Sequence, residues 1–198
     1  MMENTKDKKV CLNLGCFHKK LPGFVNIDIR EDVEPDLIDD AFKLSKFEPD
    51  TVDLIYSSHM LEHLDFKEGE MALKRWLEIL KSGGVLRLAV PDVQAAFAHY
   101  FYWGDLTLMH SNLWGSQRHP YDYHKSGYDE KTLTEKLYGV GFHVVRKWDW
   151  QTTSPHNYID DYSQSYYPDF CKKKTLANGR EVDLKGKLMS LNLEAVKK

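Results

Sequence analysis

Val10–Ile29, VCLNLGCFHKKLPGFVNIDI, is the stretch from which the rest of the chain is read. It begins within a short apolar run, Lys9–Leu14, that reads as a buried strand and breaks at Gly15. The chain then returns through the Pro22–Gly23 turn to a second strand, Phe24–Ile29, with Asp28 near its tip. Strand, glycine, strand and acid outline a nucleotide-type cofactor site, but a phosphate-binding loop would place further glycines where Cys16, Phe17 and His18 stand. Asp28 also follows Gly15 more closely than the roughly 20-residue spacing of dinucleotide folds. Gly15 lets the backbone approach a ligand closely, and Asp28 can accept hydrogen bonds from two neighbouring hydroxyls, as a ribose presents. A plain turn glycine and a helix-capping acid is the competing reading.

Outward from this stretch, further strands are expected at Pro35–Asp39 (a short strand or only an extended segment), Thr51–Ser57, Val85–Val90, Phe142–Trp148 and Lys187–Val196. Helical spacing marks Met71–Leu80, stopped by Ser82-Gly83-Gly84 in the manner of a C-cap, and Glu130–Tyr138. Strands alternating with helices predict an α/β fold: a Rossmann-like, seven-stranded, mostly parallel sheet with helices on both faces and an antiparallel last strand beside the sixth. A single domain over 1–198 is expected, with a substrate loop at about 92–128 and a late insertion at about 151–185.

Composition narrows the function. Of 198 residues 42% are hydrophobic and 29% charged, and the formal net charge is -3, so nothing global attracts nucleic acid or an anionic membrane. The charged start MMENTKDKKV runs into a strand, which argues against a signal peptide. No apolar run approaches the roughly 18 residues of a membrane helix. Three cysteines without a CxxC pair indicate neither a disulfide framework nor a zinc site, and reduced thiols suit a cytoplasmic protein.

His59-Met60-Leu61-Glu62-His63 fits the HxxEH pattern of an inverted zinc-protease motif. Metal chemistry would need both histidines on one helix face, Glu62 beside them and a third ligand downstream. His59 directly follows a strand, where a helix is only starting, so no metal site is expected.

LNLGC, VNIDI, DLIYSSHMLEH and LEILKSGGVLRLAVPD, in that order, resemble the successive motifs of class I S-adenosylmethionine (SAM)-dependent methyltransferases. They are most similar to a small bacterial subgroup associated with surface-polysaccharide genes, over Val10 to about Val145. The resemblance implies SAM as cofactor and S-adenosylhomocysteine as product. It implies cofactor contacts from Asn13, Gly15 and Cys16 after the first strand, from Asp28 and Ile29 at the ribose, from Asp40 near the adenine, and from Ser57, Ser58 and His59 beside the reacting methyl group. SAM has no pyrophosphate, so the missing glycines are not needed. The family usually carries a second glycine where this chain has Phe17.

Gln117–Tyr128 is dense in proton-bearing side chains and bounded by turn formers, so it reads as a loop over the carboxyl edge of the sheet. Arg118 and Lys125 suit an anion, with Tyr123 as a further substrate contact. His119, His124 or Asp92 could take a proton from an acceptor hydroxyl. A solvated loop whose tyrosines pack on the core is the bland alternative. His156–Phe170, acidic and aromatic, suits a lid, a homodimer interface or a cationic acceptor. The favoured substrate is small, polar and phosphorylated, a sugar or amino-alcohol precursor of surface polysaccharide, methylated on oxygen or nitrogen. A non-catalytic SAM-fold binding subunit and an RNA methyltransferase are the alternatives.

Overall fold

The computed structural model describes residues 9–153, 161–167, 173–175, 181–183 and 187–198. Alternation along the strands builds the sheet. In β1 (Cys11–Leu14), Leu12 and Leu14 enter the hydrophobic core while the amide of Asn13 bonds on the other side. β2 (Val25–Asp28), β3 (Leu37–Ile38), β4 (Val52–Ser58) and β5 (Leu80–Pro91) are parallel to it. β6 (Val144–Lys147) runs the same way, and β9 (Ser190–Val196) is inserted antiparallel between β5 and β6. The sheet order is β3-β2-β1-β4-β5-β9-β6, as the patterning predicts, with the last strand beside the sixth and also against the fifth. β7 (Lys173–Thr175) and β8 (Glu181–Asp183) form a separate antiparallel pair within the late insertion.

One face of the sheet is covered by α1 (Phe66–Ile79) and α4 (Glu130–Val140), whose Leu73, Trp76, Leu133 and Leu137 share a core cluster with Leu12, Ile55, Leu86 and Leu193. α1 buries Gly69, Ala72, Leu73, Trp76 and Ile79, the stripe of an amphipathic helix. It starts five residues before the expected Met71. Asp65 accepts from the Lys67 and Glu68 amides while Glu68 reaches back to the Asp65 amide, a reciprocal cap that nucleates the first turn. Ser82-Gly83-Gly84 is not its C-cap. The chain leaves the helix at Leu80 directly into extended backbone, and the residues after it bulge out of β5, shifting its register on β4 from Val52–Leu80 to Leu54–Val85.

The opposite face carries polar side chains: Asn13, Asn26, Arg87, Asn192 and Glu194, all buried. Each has a partner. Glu194 stands in register with Arg87 on β5 and Arg146 on β6 and bonds to both guanidinium groups. Asn192 donates to the Ser163 carbonyl, seating 161–167 against this face. The aromatic region after β5, read as irregular from sequence, forms α2 (Val93–Trp103) and α3 (His110–Trp114), which share a small core with Tyr167 and Met189. No helix among the described residues is long and apolar enough to cross a membrane.

Candidate active site

A cleft of about 750 Å³ opens where the carboxyl ends of β1, β2 and β4 meet the loop before α4. This is where ligands bind in open parallel sheets. Asn13, Gly15, Cys16, Asp28, Ile29, Asp40, Ser58 and His59 line one side. Arg118, His119, Tyr123, His124 and Lys125 line the other. Two residues expected here are absent. Ser57 is buried away from the cleft. Asp92 also lies outside it and caps α2, accepting from the Ala95 amide, so it is not placed to act as a base.

The loop after β1 is held by side chains rather than glycines. Asn13 donates to the Lys19 carbonyl and to Asn26 Oδ1, each at 2.9 Å, and Asn26 in turn donates to Asp36. The Asn13 amide hydrogens are therefore spent on the loop. Gly15, with φ +65°, makes its close approach to Met60: a Cβ there would lie 2.5 Å from Met60 Cγ. Phe17 also has positive φ (44°), a conformation a glycine would take without strain. Its ring is 44% exposed at the cleft, 5.3 Å from the Arg30 guanidinium. Cys16 is buried, and burial together with Asp28 pushes its thiol up to about 12, so it presents no thiolate.

Asp28 fits a ribose. Its Oδ2 accepts from the Phe17 amide at 2.9 Å and its Oδ1 from the Arg30 amide at 3.0 Å. Each carboxylate oxygen has a further lone-pair direction, leaving one acceptor site per oxygen for a pair of hydroxyls. Asp40 accepts from the Phe42 amide, with Ala41 and Phe42 beside it in the cleft wall.

The facing loop is ordered by its own contacts. Arg118 pairs with Asp122 at 3.3 Å, and Lys125 pairs with Glu68 at 3.5 Å, so both cations expected to hold an anion already face carboxylates. Arg30 reaches across to His119, Nη1 to Nε2 at 2.9 Å. A guanidinium can only donate, so His119 Nε2 accepts and its lone pair is engaged. Gly115 (φ +77°) anchors the loop base. A Cβ there would lie 2.1 Å from the Asp122 carbonyl oxygen. Gly115→Ala is expected to destabilise the loop by about 1–3 kcal/mol, the range for a strained backbone. Faster proteolysis between residues 115 and 125 with a lowered Tm is the measurement; an unchanged digestion pattern and Tm would refute it.

His124 is drawn inward. Its Nδ1 lies 3.0 Å from the Asn112 carbonyl, and its Nε2 lies 3.9 Å from Glu62 Oε1. Glu62, in the 3-10 turn Leu61–His63, is fully buried and does not line the cleft, yet it lies beneath His59, His63 and His124, which do. His59 Nδ1 is 3.6 Å from Glu62 Oε1, and the His63 and His124 rings meet edge-on at 4.8 Å. Burial pushes the Glu62 carboxyl up to about 8, and burial first, then the neighbouring histidines, pushes His59 down to about 3 and His124 to about 4. The sequence expectation of no metal rests on His59 directly following β4, so that the rings of His59 and His63 need not face one ion. His59 stays outside the group whose ligand atoms lie together, and His124, from the loop, stands in its place beside Glu62 and His63. HxxEH was the signal for it. Asp161, which bonds to the Tyr56 hydroxyl, and Tyr162, whose ring lies 5.3 Å from that of His59, also line the cleft; both belong to the acidic and aromatic segment His156–Phe170, in which the sequence singles out no individual residue. No motif marks them. Of His156–Phe170, only 161–167 lie within the described residues.

Comparison with known proteins bears on the fold. Residues 24–88, from β2 into β5, match the family model of a methyltransferase domain. Solved structures share the fold. A SAM-dependent methyltransferase from Archaeoglobus fulgidus aligns at TM-score 0.58 and 16% identity over 97% of this chain and 87% of its own. One from Methanosarcina mazei aligns at 0.54 and 17% over 96% and 93%, and one from Thermotoga maritima at 0.54 and 15% over 96% and 82%. No curated protein matches the chain. Sheet order and these structural likenesses give the chain the class I, Rossmann-like fold seen in SAM-dependent methyltransferases, and residues 24–88 resemble a methyltransferase domain.

Proposed function

We propose that the protein transfers the methyl group of SAM to a small, polar, phosphorylated acceptor held between the β4 tip and the loop Arg118–Lys125. The observation that carries this reading is the single cleft in which a ribose-type carboxylate, Asp28, shares a wall with His59 and faces Arg118, Tyr123 and His124. SAM, when bound, supplies an activated methyl group, and the protein contributes alignment. Gly15, Asp28, Ile29 and Asp40 hold the cofactor, with Ser58 and His59 beside the sulfonium. Arg118 and Lys125 receive the acceptor's phosphate in exchange for Asp122 and Glu68, since a dianion with three oxygens competes well for a guanidinium. Sugar and amino-alcohol phosphates, precursors of surface polysaccharide, have the size and charge for this loop.

Calorimetric titration with SAM and with S-adenosylhomocysteine tests the cofactor half, and methyl transfer to a panel of sugar and amino-alcohol phosphates tests the acceptor half. Saturable binding of both nucleosides and turnover of a phosphorylated acceptor are expected. Absence of SAM binding overturns the reading in favour of a non-catalytic subunit, and turnover confined to RNA overturns the acceptor class.

A further inference from the structure

Glu62 is fully buried, and neither of its carboxylate oxygens has a hydrogen-bond partner. The contacts to His59 and His124, at 3.6 and 3.9 Å, are too long for hydrogen bonds. His63 Nδ1 is another buried atom with no partner. Unsatisfied polar atoms withdrawn from water cost several kcal/mol unless something else meets them. One ligand atom each from Glu62, His63 and His124 lies within 4.8 Å of the others. A tetrahedral zinc ion with bonds of 2.0–2.2 Å spaces its ligand atoms about 3.4 Å apart, so a small inward rotation closes the set.

We propose that Glu62, His63 and His124, with His59 beside them, bind one divalent transition-metal ion of the zinc type. The outer ring atoms support it. His124 Nδ1 donates to the Asn112 carbonyl, which leaves the Nε2 lone pair turned toward Glu62. His59 Nε2 lies 3.2 Å from Ser190 Oγ, which leaves Nδ1 toward the same oxygen. Ligand histidines are commonly oriented in this way, through the nitrogen that does not touch the metal. A donor set of imidazoles and one carboxylate favours zinc, nickel or iron over magnesium or calcium. His59, Glu62 and His63 follow β4 and His124 comes from the facing loop, so the ion also ties the loop to the sheet edge.

The three histidines line the cleft, so an ion among them has one side toward the acceptor. This part rests on the methyltransferase reading above and names the acceptor atom as oxygen. A hydroxyl bound to the ion releases its proton to solvent and keeps lone pairs for attack. Its oxygen forms the bond to the methyl carbon as the carbon–sulfur bond of SAM breaks, and the electron pair stays on sulfur. A metal-bound amine would have its lone pair engaged by the ion.

Titrating the chelator-stripped full chain with cobalt(II), followed by its visible absorption, tests the site, with zinc added in competition. One equivalent is expected to bind with the bands of a four- or five-coordinate ion. Glu62→Gln and His124→Gln should each weaken binding at least tenfold. No saturable uptake by the wild-type chain overturns the site whatever the variants do, as does uptake that neither substitution changes. SAM titration of the stripped protein separates the two claims: SAM binding without metal uptake overturns this inference alone, and metal uptake without SAM binding overturns the methyltransferase reading and leaves the metal site standing.

Discussion

Asp28→Ala is expected to weaken SAM binding at least tenfold while the sheet stays folded. A hydrogen bond to a charged group contributes about 1.5–3 kcal/mol, and about 1.4 kcal/mol is a factor of ten, so loss of one ribose bond suffices. The second ribose bond adds to the effect. Asp28 also holds the Phe17 and Arg30 amides, so its removal frees the loop that faces the cofactor. The core does not depend on it, because the Asp28 carboxylate sits at the strand tip and outside the hydrophobic cluster of Leu12, Leu14 and Ile27. Calorimetry with SAM, paired with thermal unfolding, reads both halves. Unchanged affinity in a folded variant removes Asp28 from the ribose site.

Glu194→Ala is expected to act on stability rather than on the cleft, at about 3–5 kcal/mol, the usual loss when one partner of a buried ion pair is deleted. Glu194 is buried in β9 with Arg87 in register on β5 at 3.2 Å. Arg146, 65% exposed, can turn to solvent, whereas Arg87 is buried beside the Trp148 ring, 5.8 Å from its guanidinium. At roughly 2–4 °C per kcal/mol for a chain of this size, the Tm should fall by about 6 °C or more. The double substitution Glu194→Leu with Arg87→Leu should recover most of the loss, because buried pairs are often replaceable by apolar side chains of similar volume. A single variant within 1 kcal/mol of wild type would show that this pair does not hold the reversed strand.

Much of the fold was legible because its determinants are local. The alternation Leu12-Asn13-Leu14 and the apolar run Val85–Val90 state which side of the sheet is dry, whatever lies across from them. Local competition between readings caused the errors. Met71 looked like a helix start because the apolar stripe begins there, although the Asp65–Glu68 cap sets the first turn. Ser82-Gly83-Gly84 looked like a helix stop, but a parallel partner, β4, takes up Leu80 and forces the bulge.

By itself, then, the sequence determined the sheet, the strand tips and the place of Asp28, since each follows from periodicity or from position relative to a strand end. Tertiary structure alone decided what the remaining polar groups do. It turned Asp92 into a helix cap, gave Arg118 and Lys125 their carboxylates, and engaged the His119 lone pair with Arg30. It also carried His124 across the cleft to Glu62 and His63. Those outcomes depend on which loops meet in space, and separation along the chain says little about that distance once a sheet has brought its strand ends together.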